Sequence, residues 1–310
     1  MMDKSLDLEG KIKAAHDHLR SCVLCPRNCG VDRLNGETGY CKTGKYAVIA
    51  SYGPHFGEEQ PLVGKNGSGT IFFGGCNLSC RFCQNYDISH EVRNGREVDQ
   101  STLATVMLEL QGQGCHNINF VTPTHVVPQI LGAYRHARDR GLDVPLVYNC
   151  GGYEKTETLK LLDGVISIYM PDFKFWDETS STSYSDAPNY PAHARDALRE
   201  MHRQVGDLRL NSRGIAEQGL LVRHLIMPNG IKESDKIIEF IATEISRQTY
   251  LNLMDQYRPC GTINDFPELN RSLTKEEYQA ALQSAHTHNM QRLDSNDFRL
   301  LLKRLINLDD

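Results

Sequence analysis

The chain lacks a long apolar run, an excess of basic charge and any internal repeat or low-complexity tract. No stretch of its 310 residues reaches 18 consecutive apolar residues, so a transmembrane helix is not expected. A net charge of -5 argues against the basic footprint of a duplex nucleic-acid binder. The first twenty residues also lack the apolar core of a secretory signal. We therefore expect a cytoplasmic protein whose partners include neither a membrane nor nucleic acid.

Cysteine, by contrast, is abundant. The chain has ten cysteines, and seven of them fall into two tight groups. In a reducing compartment, clustered cysteines indicate metal ligation or catalysis rather than disulfides. The first group is Cys22, Cys25, Cys29 and Cys41, and the second is Cys76, Cys80 and Cys83. We expect the scattered ones to pack as small apolar side chains, namely Cys115, Cys150 and Cys260.

From residue 69 onward, apolar runs alternate with amphipathic helical patterns. The predicted strands are 70–74, 117–122, 145–150, 166–173, 220–227 and 250–254. The predicted helices between them are 101–113, 126–140, 154–163, 191–206 and 232–246. Such alternation indicates βαβ units and a parallel sheet. Six strands with five helices predict an α/β partial barrel, which presents its functional residues at the C-terminal ends of the strands.

Two polar segments interrupt the alternation. Residues 174–191 are predicted to form a long loop, either a lid or substrate surface at the barrel mouth or a solvated crossover. Residues 207–219 are predicted to form a turn or short hairpin. Near the C-terminus, Thr274 and Glu277 have the spacing of a capping box, which predicts a helix start. We divide the chain into an N-terminal helix and four-cysteine element, a barrel and a C-terminal helical extension, at 1–65, 66–260 and 261–310.

The central cysteines have the spacing C-x3-C-x2-C and follow directly on the first predicted strand. Three thiolates on so short a segment can hold three corners of one iron–sulfur cube. A [4Fe–4S] cluster normally takes four thiolates, so a triad leaves one iron open to a substrate or cofactor. A zinc site is the alternative, although a structural zinc requires a fourth ligand.

The N-terminal cysteines have the spacing C-x2-C-x3-C-x11-C on a glycine-rich segment. This segment has too few apolar residues to fold alone, so metal binding is expected to stabilise it. Four thiolates suit zinc, and the same set can hold iron as a rubredoxin-like centre or an auxiliary cluster. The spacing leaves zinc and iron open, and we favour a zinc-like or rubredoxin-like site.

The central motif resembles the signature of the radical S-adenosylmethionine (radical SAM) superfamily, in which an aromatic residue, here Phe82, precedes the last cysteine. Residues 66–260 are similar to the activating enzymes of glycyl-radical enzymes, in the pyruvate formate-lyase activating enzyme-like branch. The resemblance implies a radical SAM-type partial (β/α)6 TIM-like barrel with a [4Fe–4S] cluster on Cys76, Cys80 and Cys83. It also implies cleavage of S-adenosylmethionine to methionine and a 5′-deoxyadenosyl radical that abstracts a hydrogen atom.

Strand ends carry the further matches to this family. Tyr148-Asn149-Cys150-Gly151-Gly152 resembles a ribose-contacting strand end, Pro171-Asp172-Phe173-Lys174 resembles an Asp-x-Lys motif, and Val222 to Pro228 resembles a Val-Arg-x-x-x-x-Pro strand. The cofactor contacts implied in this way are Phe82, Asn85, Asn149, Asp172, Lys174 and Arg223. Lys174 would offer a cation to the cofactor carboxylate, and Asp172 would bind ribose or orient Lys174. Because side chains alternate along a strand, only one of Arg223 and His224 can face the barrel interior, and we favour Arg223.

The chain departs from the family at the end of the second strand. The Gly-Gly-Glu that meets the cofactor's amino group is absent, and Val121-Thr122-Pro123-Thr124-His125 occupies its place. Oxygen atoms of Thr122 and Thr124 could still accept hydrogen bonds from an ammonium group. The last strand also lacks the family's cofactor histidine, and Met254 and Gln256 lie there instead.

The sequence leaves three functions open. The first is a radical activase that abstracts hydrogen from a glycine of a glycyl-radical enzyme, with a reductant such as flavodoxin or ferredoxin as a second partner. The second is a radical enzyme acting directly on a small molecule or peptide, which the four-cysteine element and residues 174–191 favour. The third is a non-catalytic iron–sulfur or zinc protein, and the open iron counts against it. We favour the activase.

Overall fold

The structure, a computed structural model, describes residues 7–92 and 95–294. Its strands are β1 (Ala47–His55), β2 (Ser68–Phe73), β3 (Arg96–Val98), β4 (Ile118–Val121), β5 (Leu146–Cys150), β6 (Ile168–Pro171), β7 (Arg209–Leu210), β8 (Ala216–Leu225), β9 (Tyr250–Met254) and β10 (Arg292–Leu293). They form one sheet in the order β10-β9-β8-β6-β5-β4-β2-β1-β3, and β7 pairs with β8 beside this path.

The six predicted strands are confirmed as the parallel body of the sheet. They are β2, β4, β5, β6, β8 and β9, paired in chain order, and β10 extends them in parallel. At the other end, β1 pairs antiparallel with both β2 and β3. The molecule is therefore an α/β partial barrel, as the alternation of strands and helices predicts.

The helices are α1 (Leu8–Asp17), α2 (Gln60–Val63), α3 (Tyr86–Ser89), α4 (Gln100–Gly112), α5 (Val127–Arg138), α6 (Thr156–Leu161), α7 (Glu178–Ser185), α8 (Tyr190–Val205), α9 (Ile231–Phe240) and α10 (Lys275–Thr287). The predicted crossover helices correspond to α4, α5, α6, α8 and α9. Among the described residues, no helix is long and apolar enough to cross a bilayer.

Two local predictions are also confirmed. β7 and the start of β8 form an antiparallel hairpin within 207–219. Thr274 Oγ1 accepts a hydrogen bond from the Glu277 amide at 3.2 Å, and the Glu277 carboxylate accepts from the Thr274 amide at 2.9 Å, which completes the capping box of α10. Residues 295–310 of the C-terminal helical extension lie outside the described residues.

The prediction of a long loop at 174–191 is wrong, because α7 and the first residues of α8 lie there. The α7 sequence, ETSSTSYS, consists largely of weak helix formers and has no apolar stripe. Its helix depends instead on tertiary contacts. Ser181 and Ser185 are buried, and the Ser185 hydroxyl donates to Cys80 Sγ at 3.1 Å. Serine-rich polar composition thus concealed a helix that packing stabilises.

The interior of the barrel is closed at the N-terminal end of the strands. Val147, Ile168, Met170 and Leu221 form an apolar cluster together with Leu62 of α2. The backbone carbonyl of Leu62 also accepts a hydrogen bond from the side chain of Asn117, directly ahead of β4. The opposite end of the barrel, at the C-terminal ends of the strands, carries the polar residues described below.

Candidate active site

The central cysteines lie on a loop that leaves the end of β2. We call residues 76–83 the cysteine loop. Gly75, which precedes it, has a φ of +83°, and a Cβ at this position would lie 2.3 Å from the Cys41 carbonyl oxygen. Glycine is therefore required there both for its backbone conformation and for the close approach of the N-terminal element. Cys80 is 8% exposed.

Each sulfur of the triad lies within hydrogen-bond distance of a polar group. The hydroxyl of Ser185 donates to Cys80 Sγ at 3.1 Å, and the Leu78 amide donates to Cys76 Sγ at 3.3 Å. Cys83 Sγ lies 3.3 Å from the Ser89 hydroxyl oxygen. Hydrogen bonds to sulfur are the usual surroundings of cluster thiolates. This donor set fits three corners of a [4Fe–4S] cluster.

The end of α7 also holds the backbone of the cysteine loop. The Ser79 amide donates to the Ser185 carbonyl at 3.1 Å, and the Arg81 amide donates to the Tyr184 carbonyl at 2.8 Å. The segment interpreted from sequence as a lid or solvated crossover is therefore a support for the cysteines.

Burial raises the pKa of the Cys80 thiol to about 11 and raises that of Cys76 further. A coordinated metal cation supplies the compensating charge and deprotonates such thiols. Within residues 7–92 and 95–294, no three His, Cys, Asp or Glu side chains are placed around a single metal ion. A cube differs from a single ion in that its thiolates bind separate iron atoms.

Four of the sequence-predicted residues form a continuous polar network. Lys174 Nζ lies 2.5 Å from Asp172 Oδ2, and Arg223 Nε donates to Asp172 Oδ1 at 2.7 Å. Arg223 Nη2 in turn donates to Asn149 Oδ1 at 2.7 Å. These residues come from the C-terminal ends of β5, β6 and β8, which lie side by side. We call this set the strand-end network.

The charges of the strand-end network stabilise one another. Burial alone would raise the pKa of Asp172, but Arg223 and Lys174 outweigh it and hold this pKa below its usual value. Burial would lower the pKa of Lys174, but the Asp172 carboxylate raises it to about 12. Lys174 also acts on the triad, because its charge opposes the burial that raises the pKa of Cys80. Geometry places the network beside the cysteine loop, since a Cβ on Gly151 would lie 2.6 Å from Leu78 Cδ1 and 3.8 Å from Lys174 Cε.

Arg223 and His224 face opposite sides of β8, as strand alternation requires. His224 Nδ1 lies 2.6 Å from the Phe173 carbonyl and Nε2 lies 2.8 Å from the Ser234 hydroxyl. Burial lowers the pKa of His224 to about 4, so this ring is neutral at physiological pH. Its contacts are structural.

Tyr190 supports the strand-end network, and no motif in the sequence identifies it. Its hydroxyl oxygen accepts from the Lys174 amide at 2.9 Å and lies 2.9 Å and 3.0 Å from the carbonyl oxygens of Gly151 and Asp172. Gly152 has a φ of +79°, and a Cβ there would lie 2.3 Å from the Asp172 carbonyl. The loops after β5 and β6 are therefore closely packed.

Glu58 and Glu59 approach the same interior from the segment before α2. Glu58 Oε2 lies 3.5 Å from Arg223 Nη1, and Glu59 Oε1 accepts from the Asn252 side chain at 2.8 Å. The only sequence signal for them is an acidic pair ahead of a short helix, which is not specific.

The Thr122 amide donates to the Asn149 carbonyl at 2.9 Å, but the side chains of the remaining predicted residues form no hydrogen bond or ion pair with the strand-end network in the described part of the chain. Phe82 is buried, with its ring centroid 6.1 Å from that of Phe175, and Asn85 is exposed at the start of α3. The Thr124 hydroxyl donates to Glu154 Oε1 at 2.6 Å. Thr122 has a φ of +60°, which is strained for a β-branched residue. Such strain clusters at functional sites.

Cys22, Cys25, Cys29 and Cys41 are also brought together. All four line one small cavity, and Arg27, Arg33, Asn77 and His125 line it with them. Burial raises the pKa of Cys25 to about 12. Since Asn77 belongs to the cysteine loop, the two groups of cysteines are neighbours in the fold.

Comparison with known proteins identifies the same region. The family model described as the radical SAM superfamily matches residues 70–241. A curated relative, an uncharacterized protein from Methanocaldococcus jannaschii, is 32% identical, and the alignment covers 91% of this chain and 79% of the relative.

Solved structures with lower similarity were also found. One is described as native anSMEcpe with bound AdoMet, with a TM-score of 0.45 and 12% identity. The match covers 71% of this chain and 61% of that chain, so this chain spans less than two thirds of the length of the solved protein. Another is a domain of pyruvate-formate lyase-activating enzyme from Bacteroides vulgatus ATCC 8482, with a TM-score of 0.37, 13% identity and coverage of 63% and 89% of the two chains.

Proposed function

This chain belongs to the radical SAM superfamily, whose members are enzymes that bind S-adenosylmethionine at a [4Fe–4S] cluster, and on that premise we propose that it is a glycyl-radical activase. The observation that carries the proposal is the position of the strand-end network beside the cysteine loop. A cation held by a carboxylate lies near the cysteine loop at the C-terminal ends of parallel strands. This is where such a fold binds its ligands.

A [4Fe–4S] cluster on Cys76, Cys80 and Cys83 would supply the electron that splits S-adenosylmethionine into methionine and a 5′-deoxyadenosyl radical. The chain's own residues bind and orient the cofactor. In this proposal the Lys174 ammonium binds the cofactor carboxylate, because its charge is retained at neutral pH. Asp172 fixes Lys174, while Asn149 and Arg223 offer polar groups to the ribose. Buried Phe82 contributes to a site that excludes water.

An activase must admit a loop of its partner protein through the open side of the partial barrel. The sheet ends in β3 on one side and β10 on the other, with no pairing between these strands in the described part of the chain. An open edge of this kind suits hydrogen abstraction from the Cα of a glycine in a glycyl-radical enzyme. The electron would come from a one-electron carrier such as flavodoxin or ferredoxin.

A cavity next to Lys174 favours the second candidate, direct action on a small molecule or peptide. Ser180, Tyr184, His224, Glu233 and Glu268 are among the residues that line it, together with Lys174 itself. A cavity of this chemistry suits a small polar substrate.

The test is cofactor turnover by anaerobically reconstituted and reduced protein. We expect 5′-deoxyadenosine to form and Cys80→Ala to abolish it, because the variant removes one cluster ligand. Cys115→Ala is the matched control, since Cys115 is a buried cysteine outside both groups. Unchanged product from Cys80→Ala would contradict radical SAM chemistry at this loop.

Deuterium transfer then separates the two candidates. Label moving into 5′-deoxyadenosine from a glycine-deuterated partner enzyme would support the activase. Label arriving instead from a small molecule would replace it with direct catalysis.

A further inference from the structure

The four N-terminal cysteines are gathered by backbone hydrogen bonds of their own segment. The Cys22 amide donates to the Val31 carbonyl at 2.9 Å, and the Gly30 amide donates to the Cys22 carbonyl at 3.0 Å. The Tyr40 amide donates to Cys29 Sγ at 3.4 Å, which brings the Cys41 side of the segment against Cys29. All four thiols consequently line the same enclosed cavity.

A fully buried guanidinium faces this cavity. Arg33 is 0% exposed and donates to the carbonyl oxygens of Gly44 and His125, while its Nη1 lies 4.0 Å from Cys22 Sγ. No carboxylate of the described residues lies within ion-pair distance of Arg33. A buried charge without a counter-ion is costly, so an anionic partner is expected in this cavity.

A second guanidinium lies on another side of the cavity. The side chain of Arg27 is 9% exposed, and its Nε donates to the Asn77 carbonyl at 2.9 Å. Its one ion pair with another described residue is a 3.7 Å approach to exposed Asp186. Its buried Nη2 has no hydrogen-bond partner within the described structure. The cavity is therefore lined by four thiols and two cations, one of which has an unused donor.

We propose that Cys22, Cys25, Cys29 and Cys41 ligate a metal centre through four thiolates and that Arg27 and Arg33 neutralise its charge. A divalent metal ion with four thiolates carries a net charge of minus two, and so does an oxidised [4Fe–4S] cluster with four thiolates. Two guanidiniums balance either centre. Binding releases four thiol protons and brings in two positive charges, so the interior gains a net charge of minus two, which the two guanidiniums offset.

Both possible centres, a single metal ion and an iron–sulfur cube, are bound by four thiolates. A single tetrahedral ion holds each sulfur at about 2.3 Å and so draws all four around one point. Although the thiols line one cavity, no three ligands of the described residues are close enough together to surround a single ion. A single ion would therefore require cysteine side chains to turn inward. A cube accepts sulfurs that lie further apart. Metal analysis distinguishes the two.

The centre would also support the cysteine loop. The Asn77 carbonyl oxygen accepts a hydrogen bond from Arg27, and the Asn77 side chain donates to the Tyr153 carbonyl at 2.6 Å. The Cys41 carbonyl packs against Gly75. The residues on either side of Cys76 are thus held by the four-cysteine element.

The first experiment removes the central site. The triple variant Cys76→Ala/Cys80→Ala/Cys83→Ala is isolated anaerobically, and its zinc, iron and acid-labile sulfide are measured. We expect either about one zinc or iron without sulfide, or about four irons with sulfide. Adding Cys22→Ala and Cys41→Ala should remove this metal. A triple variant that is metal-free yet has the circular dichroism of the parent would overturn the proposal, as would retention of metal after both additions.

The second experiment tests the arginines in the same triple background. Arg27→Gln should release metal to a chelator about tenfold faster, because a charge-assisted contact is lost, while Arg27→Lys should recover much of the difference. The exposed Arg20→Gln is the matched control. Equal release rates for Arg27→Gln and Arg20→Gln would overturn the role of Arg27. Neither readout depends on cleavage of S-adenosylmethionine, so failure here is distinguishable from failure of the proposed function.

Discussion

At the scale of single residues, the carboxylates around the strand-end network are shared unevenly between its two cations. Asp172 lies between Lys174 and Arg223, so one carboxylate serves two cations. Glu58 lies 3.5 Å from Arg223 and Glu59 also acts on that guanidinium, whereas Asp172 is the carboxylate that pairs with Lys174 among the described residues. A group with a free carboxylate, such as the methionine part of the cofactor, would meet a favourable field. Such a field is strongest where water is excluded.

Lys174→Met tests this contact with a side chain of similar length and no charge. We expect affinity for S-adenosylmethionine to fall about tenfold to a hundredfold, the effect of losing a hydrogen bond between charged groups. Iron bound by the central cysteines should be unchanged. Binding is measured by equilibrium dialysis, and iron by metal analysis.

Lys160→Met, an exposed lysine on α6, is the control for Lys174→Met. Unchanged affinity would contradict the contact, and loss of iron together with affinity would mean that Lys174 supports the fold rather than the cofactor.

The strand-end network could be predicted from sequence because parallel strands deliver their last residues to one edge. Asn149, Asp172 and Arg223 follow from that rule and from the family resemblance. Tyr190 and Ser185 do not, because they come from helices beyond the strands and contact backbone atoms or a sulfur. A single hydroxyl that reaches a remote carbonyl leaves no periodic signal in the chain.

At the scale of elements, apolar periodicity predicted the parallel strands and their crossover helices but not α7 or β1. The polar α7 has no stripe, and β1 lies near the edge of the sheet, where several of its residues are exposed. The short β3 pairs only with residues 47–49 of β1, so the rest of β1 is unpaired on that side and has too few buried apolar residues to be predicted as a strand. Both elements form because tertiary contacts outweigh local preference.

The loss of one hydroxyl at the end of α7 should change the central cluster. Ser185→Ala removes the hydrogen bond to Cys80 Sγ. Such bonds stabilise the more negative, reduced cluster, so the midpoint potential should become more negative. A redox titration followed by electron paramagnetic resonance measures it.

Ser183→Ala is the matched control for Ser185→Ala, since Ser183 is exposed on the same helix. Equal midpoint potentials in the two variants would show that the Ser185 hydroxyl does not act on the cluster.

At the scale of the whole molecule, the N-terminal element shares the hydrophobic core of the barrel and is not a separate module joined by a linker. Ala15 belongs to the main core, and Leu8 and Ile12 of α1 pack against that core. The Thr158 hydroxyl of α6 donates to the Leu24 carbonyl at 2.7 Å. Boundaries between independent domains are crossed by few contacts. Composition predicted a metal-stabilised element at 1–65, but it could not reveal how much of the barrel this element covers.

Removal of residues 1–45 should therefore destabilise the barrel. Uncovering the surface under Leu8, Ile12 and Ala15 should cost about 3 kcal/mol of unfolding free energy or more, at the usual value for buried apolar area. Trp176 is the only tryptophan and lies in the barrel, so its fluorescence follows barrel unfolding in urea. Both chains are treated with the same chelator, so that metal binding does not contribute. A shortened chain with the urea midpoint of the full chain would instead make the N-terminal element an independent module.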